Sequence, residues 1–303
     1  MRILLTSTSF FDTPGTHKDK LYSLGFEIDY IPGPVKEKIL IPIISKYDGI
    51  ICGDDEITKN VISNGVKGKL KVISKYGIGL DKIDIEFAKE INLKICNTPG
   101  VNHITVSEHI LALLFAYYKN IHKEYVFTKS GNWTRLIGHE IFNKKIGILG
   151  FGRIGKETAK RAKALGLKCY IFDPYAKTSK KYIFCNSLKD LVKEIEILVL
   201  TLPLNNETKG IIDENLISNS TQKLVIVNTS RALIVNQNSL ISLLEKNKIS
   251  AYLTDVMDEE PMRKNDPLTK FDNVIITPHI GSRTFQSVER QGLMAVKNLI
   301  QNL

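Results

Sequence analysis

A guanidinium, a carboxylate and an imidazole stand in the last third of this 303-residue chain, each just after an apolar, strand-like run. Arg231 follows Val225-Ile226-Val227 in the stretch Asn228-Thr229-Ser230-Arg231. Glu260 lies in Asp258-Glu259-Glu260-Pro261, beyond the run that bears Asp255. His279 lies in Thr277-Pro278-His279-Ile280-Gly281. An arginine can hold a substrate carboxylate, and a histidine can exchange a proton near neutral pH. A carboxylate beside that histidine favours the imidazolium and fixes its tautomer. Taken singly, Arg231 reads as a surface cation and Glu260 as a solvated acid, so the argument rests on their combination. Among the six histidines, His279 stands out because Pro278 and Gly281 shape its loop. His17, His122 and His139 read as surface or loop residues, His109 as helix packing, and His103 as a neighbour of a ligand cleft.

Upstream, the run Lys145-Ile146-Gly147-Ile148-Leu149-Gly150-Phe151-Gly152-Arg153-Ile154-Gly155 feeds a strand-like stretch into G-x-G-x-x-G. A helix-like pattern follows, then a second strand, Cys169-Tyr170-Ile171-Phe172, that ends on Asp173. Gly150 makes the tight turn, Gly152 lets backbone approach a pyrophosphate, and Gly155 lets helix pack on strand. The helix N-terminus then offers N–H groups and a positive dipole end to the phosphates. Asp173 falls about 20 residues on, where a carboxylate accepts hydrogen bonds from a ribose diol. The expected cofactor is NAD. The Asp173 carboxylate repels a 2′-phosphate, which favours NAD over NADP, and Lys177 softens that repulsion if its loop folds back. A nicotinamide cofactor narrows the chemistry of the trio. Hydride exchange with a hydroxy acid needs a cation for the carboxylate, a base for the hydroxyl proton and a group that tunes the base.

These elements sit in a chain of ordinary globular composition, 43% hydrophobic and 24% charged. Its length favours two domains. The formal charge of +10 reads as a lysine-rich solvated surface, with a field gathering anionic substrate as the functional alternative. No basic run is interleaved with aromatics and no zinc pattern occurs, so no nucleic-acid partner is expected. Cys52, Cys96, Cys169 and Cys185 are widely spaced, which speaks against disulfides or a metal site and for a reducing compartment. Ile3-Leu4-Leu5 is too short for a signal-peptide core, and the longest apolar run, residues 110–118, is far below membrane-spanning length. A soluble, cytoplasmic protein with no membrane partner is expected.

Short apolar runs alternate with helical stretches through the first hundred residues, at 3–6, 28–31, 49–53, 71–74 and 94–97, with a helix over 18–24 closed by Gly25. A long helix is expected over 106–121, with Thr105 or Ser107 as its N-cap. Further strands are expected over 195–202, 224–227, 253–256 and 274–277, and a final amphipathic helix over 286–299. Such alternation predicts parallel sheets flanked by helices. The expected architecture is α/β, with two doubly wound parallel-sheet domains, the chain leaving the first, building the second and returning to the first. The expected boundaries are residues 1–99 plus 282–303 for the substrate domain and 100–281 for the nucleotide domain. The active site is expected in the cleft between them, near strand C-terminal ends.

Over essentially its whole length the chain resembles the NAD-dependent D-isomer-specific 2-hydroxyacid dehydrogenases. The motifs named above fall in that family's order. Lys75-Tyr76-Gly77-Ile78-Gly79-Leu80-Asp81 resembles its substrate-carboxylate loop, Asn97-Thr98-Pro99-Gly100-Val101-Asn102 its interdomain crossover, and Gly131-Asn132-Trp133-Thr134-Arg135 the stretch before its cofactor domain. The resemblance implies that Arg231 binds the substrate carboxylate, that His279 is the general acid/base, and that Glu260 raises its pKa. It implies a substrate site drawn from Lys75, Gly77, Ile78, Gly79, Asn102 and Arg231. For the cofactor it implies Gly150, Gly152, Arg153, Ile154, Gly155, Asp173, Leu202, Pro203, Thr208, Thr229, Ser230, Arg231, Asp255, His279, Gly281 and Ser282, with Asp255 on the nicotinamide carboxamide. For the fold it implies a Rossmann NAD-binding domain inserted into a flavodoxin-like substrate domain, and no metal is implied.

The implied partner is a small anionic 2-hydroxy or 2-keto acid. Within the family the flavour is that of 3-phosphoglycerate dehydrogenase, with hydroxypyruvate or glyoxylate reduction beside it. Phosphite oxidation and an NADH-sensing corepressor are the alternatives. The chain stops at Leu303 after the returning helix, so no separate regulatory domain and no serine feedback are expected. A homodimer is also implied, its interface formed by the apolar face of 110–118 and the segment through Trp133. Departures from the family pattern are Ala232 where glycine is frequent, the stretch Leu233-Ile234-Val235-Asn236 where glycine more often comes first and aspartate last, and Met257 where an aromatic is common.

Overall fold

The computed structural model describes residues 1–303. They divide into two units, Met1–Asn102 with Ser282–Leu303, and His103–Gly281.

The first unit holds a five-stranded sheet of β1 (Arg2–Leu5), β2 (Glu27–Tyr30), β3 (Gly49–Cys52), β4 (Val72–Lys75) and β5 (Lys94–Cys96), in the order β2-β1-β3-β4-β5. All pairings are parallel, which is the flavodoxin-like arrangement. Helices cover both faces, so the central strands read as continuous apolar runs rather than alternating ones. Successive side chains still part to opposite sides. Leu4, Ile50 and Ile73 join Leu40, Val61 and Ile62 on one face. Ile3, Leu5, Ile51 and Val72 meet Phe10, Leu21, Val296 and Leu299 on the other. The C-terminal helix Phe285–Asn302 thus closes this first sheet. Ser74 ties it down by donating to the Ala295 carbonyl at 2.8 Å. His17, expected at the surface, is fully buried. Its ring lies edge-on to Phe10, and Gly292 of the C-terminal helix makes room for it, since a Cβ there would come within 2.7 Å of the imidazole.

The second unit holds seven strands, β6 (Lys145–Leu149), β7 (Lys168–Phe172), β8 (Ile183–Phe184), β9 (Ile197–Leu200), β10 (Val225–Asn228), β11 (Ala251–Thr254) and β12 (Val274–Ile276). Their order is β12-β11-β10-β9-β6-β7-β8, again all parallel. The winding reverses between β6 and β9, the switch point at which such sheets bind ligands. Leu198, Leu200, Ile226 and Tyr252 face Leu191, Leu216, Leu240 and Leu244. Ile197, Val199, Val225 and Leu253 face Val106, Ile110, Leu113, Leu114 and Ala162. Each such buried aliphatic side chain contributes about 1.5–3 kcal/mol.

The long helix begins at His103, so Thr105 and Ser107 lie inside it. Ser107 donates back to the Ile104 carbonyl at 2.6 Å instead of capping. Ile110, Leu111, Leu113, Leu114 and Tyr118 of this helix sit in the unit's own core, which removes them from the expected dimer surface. Apolar side chains are exposed just beyond, on a helix not anticipated from the sequence, Ile121–Lys129, and in the segment after it. Tyr125, Trp133 (83% exposed) and Ile137 (92% exposed) are the largest. The two-residue β8 was likewise not anticipated, being too short to show any periodicity.

Candidate active site

At the switch point the chain leaves β6 through Gly150, whose φ of +94° only glycine adopts without strain. A Cβ there would stand 2.8 Å from the Thr201 carbonyl, and one at Gly155 would overlap the Gly150 carbonyl. A Cβ at Gly152 would meet nothing within 4 Å. Gly150 and Gly155 therefore serve turn and packing, while Gly152 leaves open space above the helix Arg153–Ala164. Gly152 is that helix's N-cap and no side chain caps it, so the first-turn N–H groups, including those of Arg153 and Ile154, keep their affinity for an anion.

Asp173, just past β7, is pinned beside this turn. Its carboxylate accepts from the Phe151 N–H at 2.6 Å and the Tyr175 N–H at 2.8 Å. Beyond β9 come Leu202 and Pro203, whose carbonyl accepts from Thr208 at 2.7 Å. Beyond β10, Ser230 donates to the Leu200 carbonyl at 2.8 Å, and the Thr229 hydroxyl is buried without a partner. An open glycine turn, an uncapped helix start, a fixed carboxylate and an orphaned hydroxyl along adjoining strand ends fit a dinucleotide.

Arg231 follows in extended backbone at the start of the 3₁₀ turn Ala232–Ile234. Asn228 reaches back to its carbonyl at 2.9 Å, and one guanidinium nitrogen donates to the Ser230 carbonyl at 2.8 Å. Departures at Ala232, Asn236 and Met257 have local accounts. Ala232 buries its methyl. Asn236 caps the helix Gln237–Glu245 by accepting from Ser239, as an aspartate would. The Met257 N–H donates to Glu260 Oε1 at 3.0 Å, a backbone contact that does not depend on an aromatic side chain.

Glu260 Oε2 lies 2.8 Å from His279 Nδ1. His279 itself holds a left-handed φ of +53°, an uncommon state for a residue with a side chain and one that the surroundings must enforce. Asp255 enforces it. This carboxylate, 2% exposed, accepts from the Ile280 N–H at 2.8 Å, the Gly281 N–H at 2.7 Å and the Thr277 hydroxyl at 2.6 Å. His109 Nε2 stands 3.4 Å from it and 2.9 Å from Thr277 Oγ1. Burial pushes the Asp255 pKa up, but the bonds from His109, Thr277 and the Ile280 N–H outweigh burial and hold it below the usual value. Asp255 is thus committed to the turn that carries His279, a contact set not foreseen from the motif. His109 and Thr277 were missed as well. The one signal in the sequence was a histidine within a strongly apolar helix.

In the first unit, Lys75 ends β4 with its side chain 5% exposed and its ammonium on the Gly53 carbonyl (2.5 Å) and Asp54 (2.6 Å). Its charge is therefore matched by Asp54 within the protein. Gly77, at φ +134°, donates to Thr98 Oγ1 at 2.9 Å, and Asn97 donates to the Ile78 carbonyl at 2.8 Å. These bonds hold the loop bearing Ile78 and Gly79. Asn102 Oδ1 is buried without a partner, and Ser282 opens the segment that returns to this unit.

The family model described as "D-isomer specific 2-hydroxyacid dehydrogenase, NAD binding domain" matches residues 111–281. A hydroxypyruvate reductase of Thermotoga maritima is 33% identical over 91% of this chain and 92% of its own length. A glyoxylate reductase of Pyrococcus horikoshii is 32% identical over 91% and 86%. A D-3-phosphoglycerate dehydrogenase of Methanocaldococcus jannaschii is 32% identical over 90% of this chain but only 53% of its own length. Among solved structures, the TT0316 protein of Thermus thermophilus superposes with a TM-score of 0.89 at 31% identity, covering 99% of this chain and 96% of that one.

Proposed function

The chain belongs to the D-isomer specific 2-hydroxyacid dehydrogenase family and is an NAD-dependent oxidoreductase, and from that premise we propose that it acts on a short D-2-hydroxy acid/2-keto acid pair. Hydroxypyruvate or glyoxylate is the proposed keto acid, with 3-phosphoglycerate as the phosphorylated member of the same class. The names of the relatives support this choice of substrates.

One observation carries the reading: His279, held in a left-handed turn, with Glu260 2.8 Å from Nδ1. NAD, when bound, supplies the hydride acceptor or donor. Glu260 engages Nδ1, so proton exchange at the substrate oxygen falls to Nε2 of His279. The negative charge of Glu260 favours the imidazolium that donates in the reductive direction. Arg231, which can bind a carboxylate through two parallel N–H groups, orients the acid and polarises the reacting C–O bond. The N–H groups of Ile78 and Gly79, in the loop braced by Thr98 and Asn97, are the proposed second hold on that carboxylate. The Gly150–Gly155 turn takes the pyrophosphate, and Asp173 the ribose diol.

The enzyme is proposed to work as a homodimer through the apolar surface around Tyr125, Trp133 and Ile137. A reducing, cytoplasmic setting fits its four free cysteines, of which burial pushes Cys52 up to about 12 and Cys169 to about 11. No helix is long and apolar enough to cross a membrane.

The test is NADH oxidation with hydroxypyruvate, glyoxylate, pyruvate and 2-oxoglutarate, and NAD reduction with 3-phosphoglycerate, for the parent and His279→Ala. Turnover on one acid, reduced about 10²–10⁴-fold in the variant with NADH binding intact, is expected. Tight NADH binding with no turnover on any acid would point instead to a cofactor sensor.

A further inference from the structure

His279 is gripped twice, by Glu260 through its side chain and by Asp255 through the backbone of the turn that follows it. The second grip has a further support. The Thr277 hydroxyl has one proton, and its shortest contact, 2.6 Å to Asp255 Oδ1, takes that proton. Thr277 Oγ1 is then an acceptor towards His109 Nε2 at 2.9 Å, which assigns a proton to that nitrogen. The same N–H lies 3.4 Å from Asp255 Oδ1. The chain of contacts runs from the helix His103–Tyr118, whose Val106, Ile110, Leu113 and Leu114 are locked in the core, through His109, Thr277 and Asp255 to the Ile280 and Gly281 N–H groups. Thr277 precedes His279 by two residues and its carbonyl accepts the His279 N–H at 3.0 Å. Both sides of the left-handed residue are therefore tied to one carboxylate, and that carboxylate is steadied from a rigid helix.

We propose that His109 is a positioning residue for His279, acting through Thr277 and Asp255. It touches neither substrate nor cofactor in this role. Its contribution is to keep the turn, and so the imidazole, at the angle needed for proton exchange. This inference rests on the reading of His279 as the acid/base. A shift of about 1 Å in a reacting group can cost about 10²-fold in rate, so even a modest loosening is measurable.

Steady-state kinetics, NADH titration and thermal melts on the full chain would test it, using His109→Leu, His109→Gln, Thr277→Val, the double variant His109→Leu/Thr277→Val, and His279→Ala as reference. Leucine removes the N–H at similar bulk, whereas glutamine returns an N–H at nearly the same reach. The expected result is a fall in kcat of about 10- to 100-fold for His109→Leu, with the NADH dissociation constant within about twofold of the parent. Recovery to within about threefold is expected in His109→Gln. The double variant should be no worse than its poorer single parent by more than about threefold, because both break one chain of contacts. Unchanged kcat in His109→Leu, with His279→Ala inactive, would overturn the positioning role and leave the acid/base reading standing. Full activity in His279→Ala would remove both. Should His109→Leu melt early, Thr277→Val decides: full kcat there refutes the proposal, and a matching loss in a stably folded variant supports it.

Discussion

Asp255 and Glu260 do different work on the same histidine, and the difference is one of atoms. Glu260 meets the imidazole nitrogen, so it acts on charge and tautomer. Asp255 meets backbone N–H groups on the C-terminal side of that residue, so it acts on conformation. The hydrogen bonds that lower the Asp255 pKa also link folding to pH. Its folded pKa lies below the unfolded value near 4, so the ionised carboxylate contributes stability above about pH 4, and that contribution is lost as pH falls through the folded value. Asp255→Asn should cost about 1–3 kcal/mol at pH 7, because an amide cannot accept at both oxygen positions and leaves a buried donor unpaired. The gap between variant and parent should narrow at pH 3, below the unfolded value, where proton uptake by the unfolded chain draws on the parent's stability. Urea melts at the two pH values check this, and a gap that widens in acid contradicts the assignment.

At the scale of elements, the β6–turn–helix unit separates two uses of glycine that the motif alone runs together. Gly155→Ala places a methyl against the Gly150 backbone carbonyl, which cannot swing aside, and should destabilise the second unit by about 1–3 kcal/mol. Gly152→Ala meets no protein atom and should melt like the parent, yet weaken NADH binding tenfold or more by standing where the pyrophosphate approaches. Calorimetry with a fluorescence titration separates the two effects; equal melting losses in both variants would refute the distinction. The long helix shows the limit of reading boundaries from propensity. Thr105 and Ser107 have the chemistry of N-caps, but the helix starts at His103 because Thr105, Val106 and Ser107 are buried, a tertiary demand that overrides local preference.

For the whole molecule, the exposed apolar surface of the second unit sets the expected assembly. Trp133 and Ile137 stand almost fully in solvent, and large side chains so exposed mark an interaction surface when they cluster. Sedimentation should give a dimer for the parent and a monomer for Ile137→Asp; a parent that sediments as a monomer would disprove the assembly. Much of the architecture was legible beforehand. Strand runs, glycine spacing and the alternation of elements depend on hydrogen bonding and burial periods within a few residues, so the sequence alone determined two parallel-sheet domains, a dinucleotide turn and strand-end positions for Arg231, Glu260 and His279. The burial of His17, the neutralisation of Lys75 by Asp54 and the bracing of the His279 turn by His109, 168 residues from Thr277, were decided only by tertiary structure. The partner of a polar side chain depends on how segments remote in the chain are brought into register, and no local pattern carries that information.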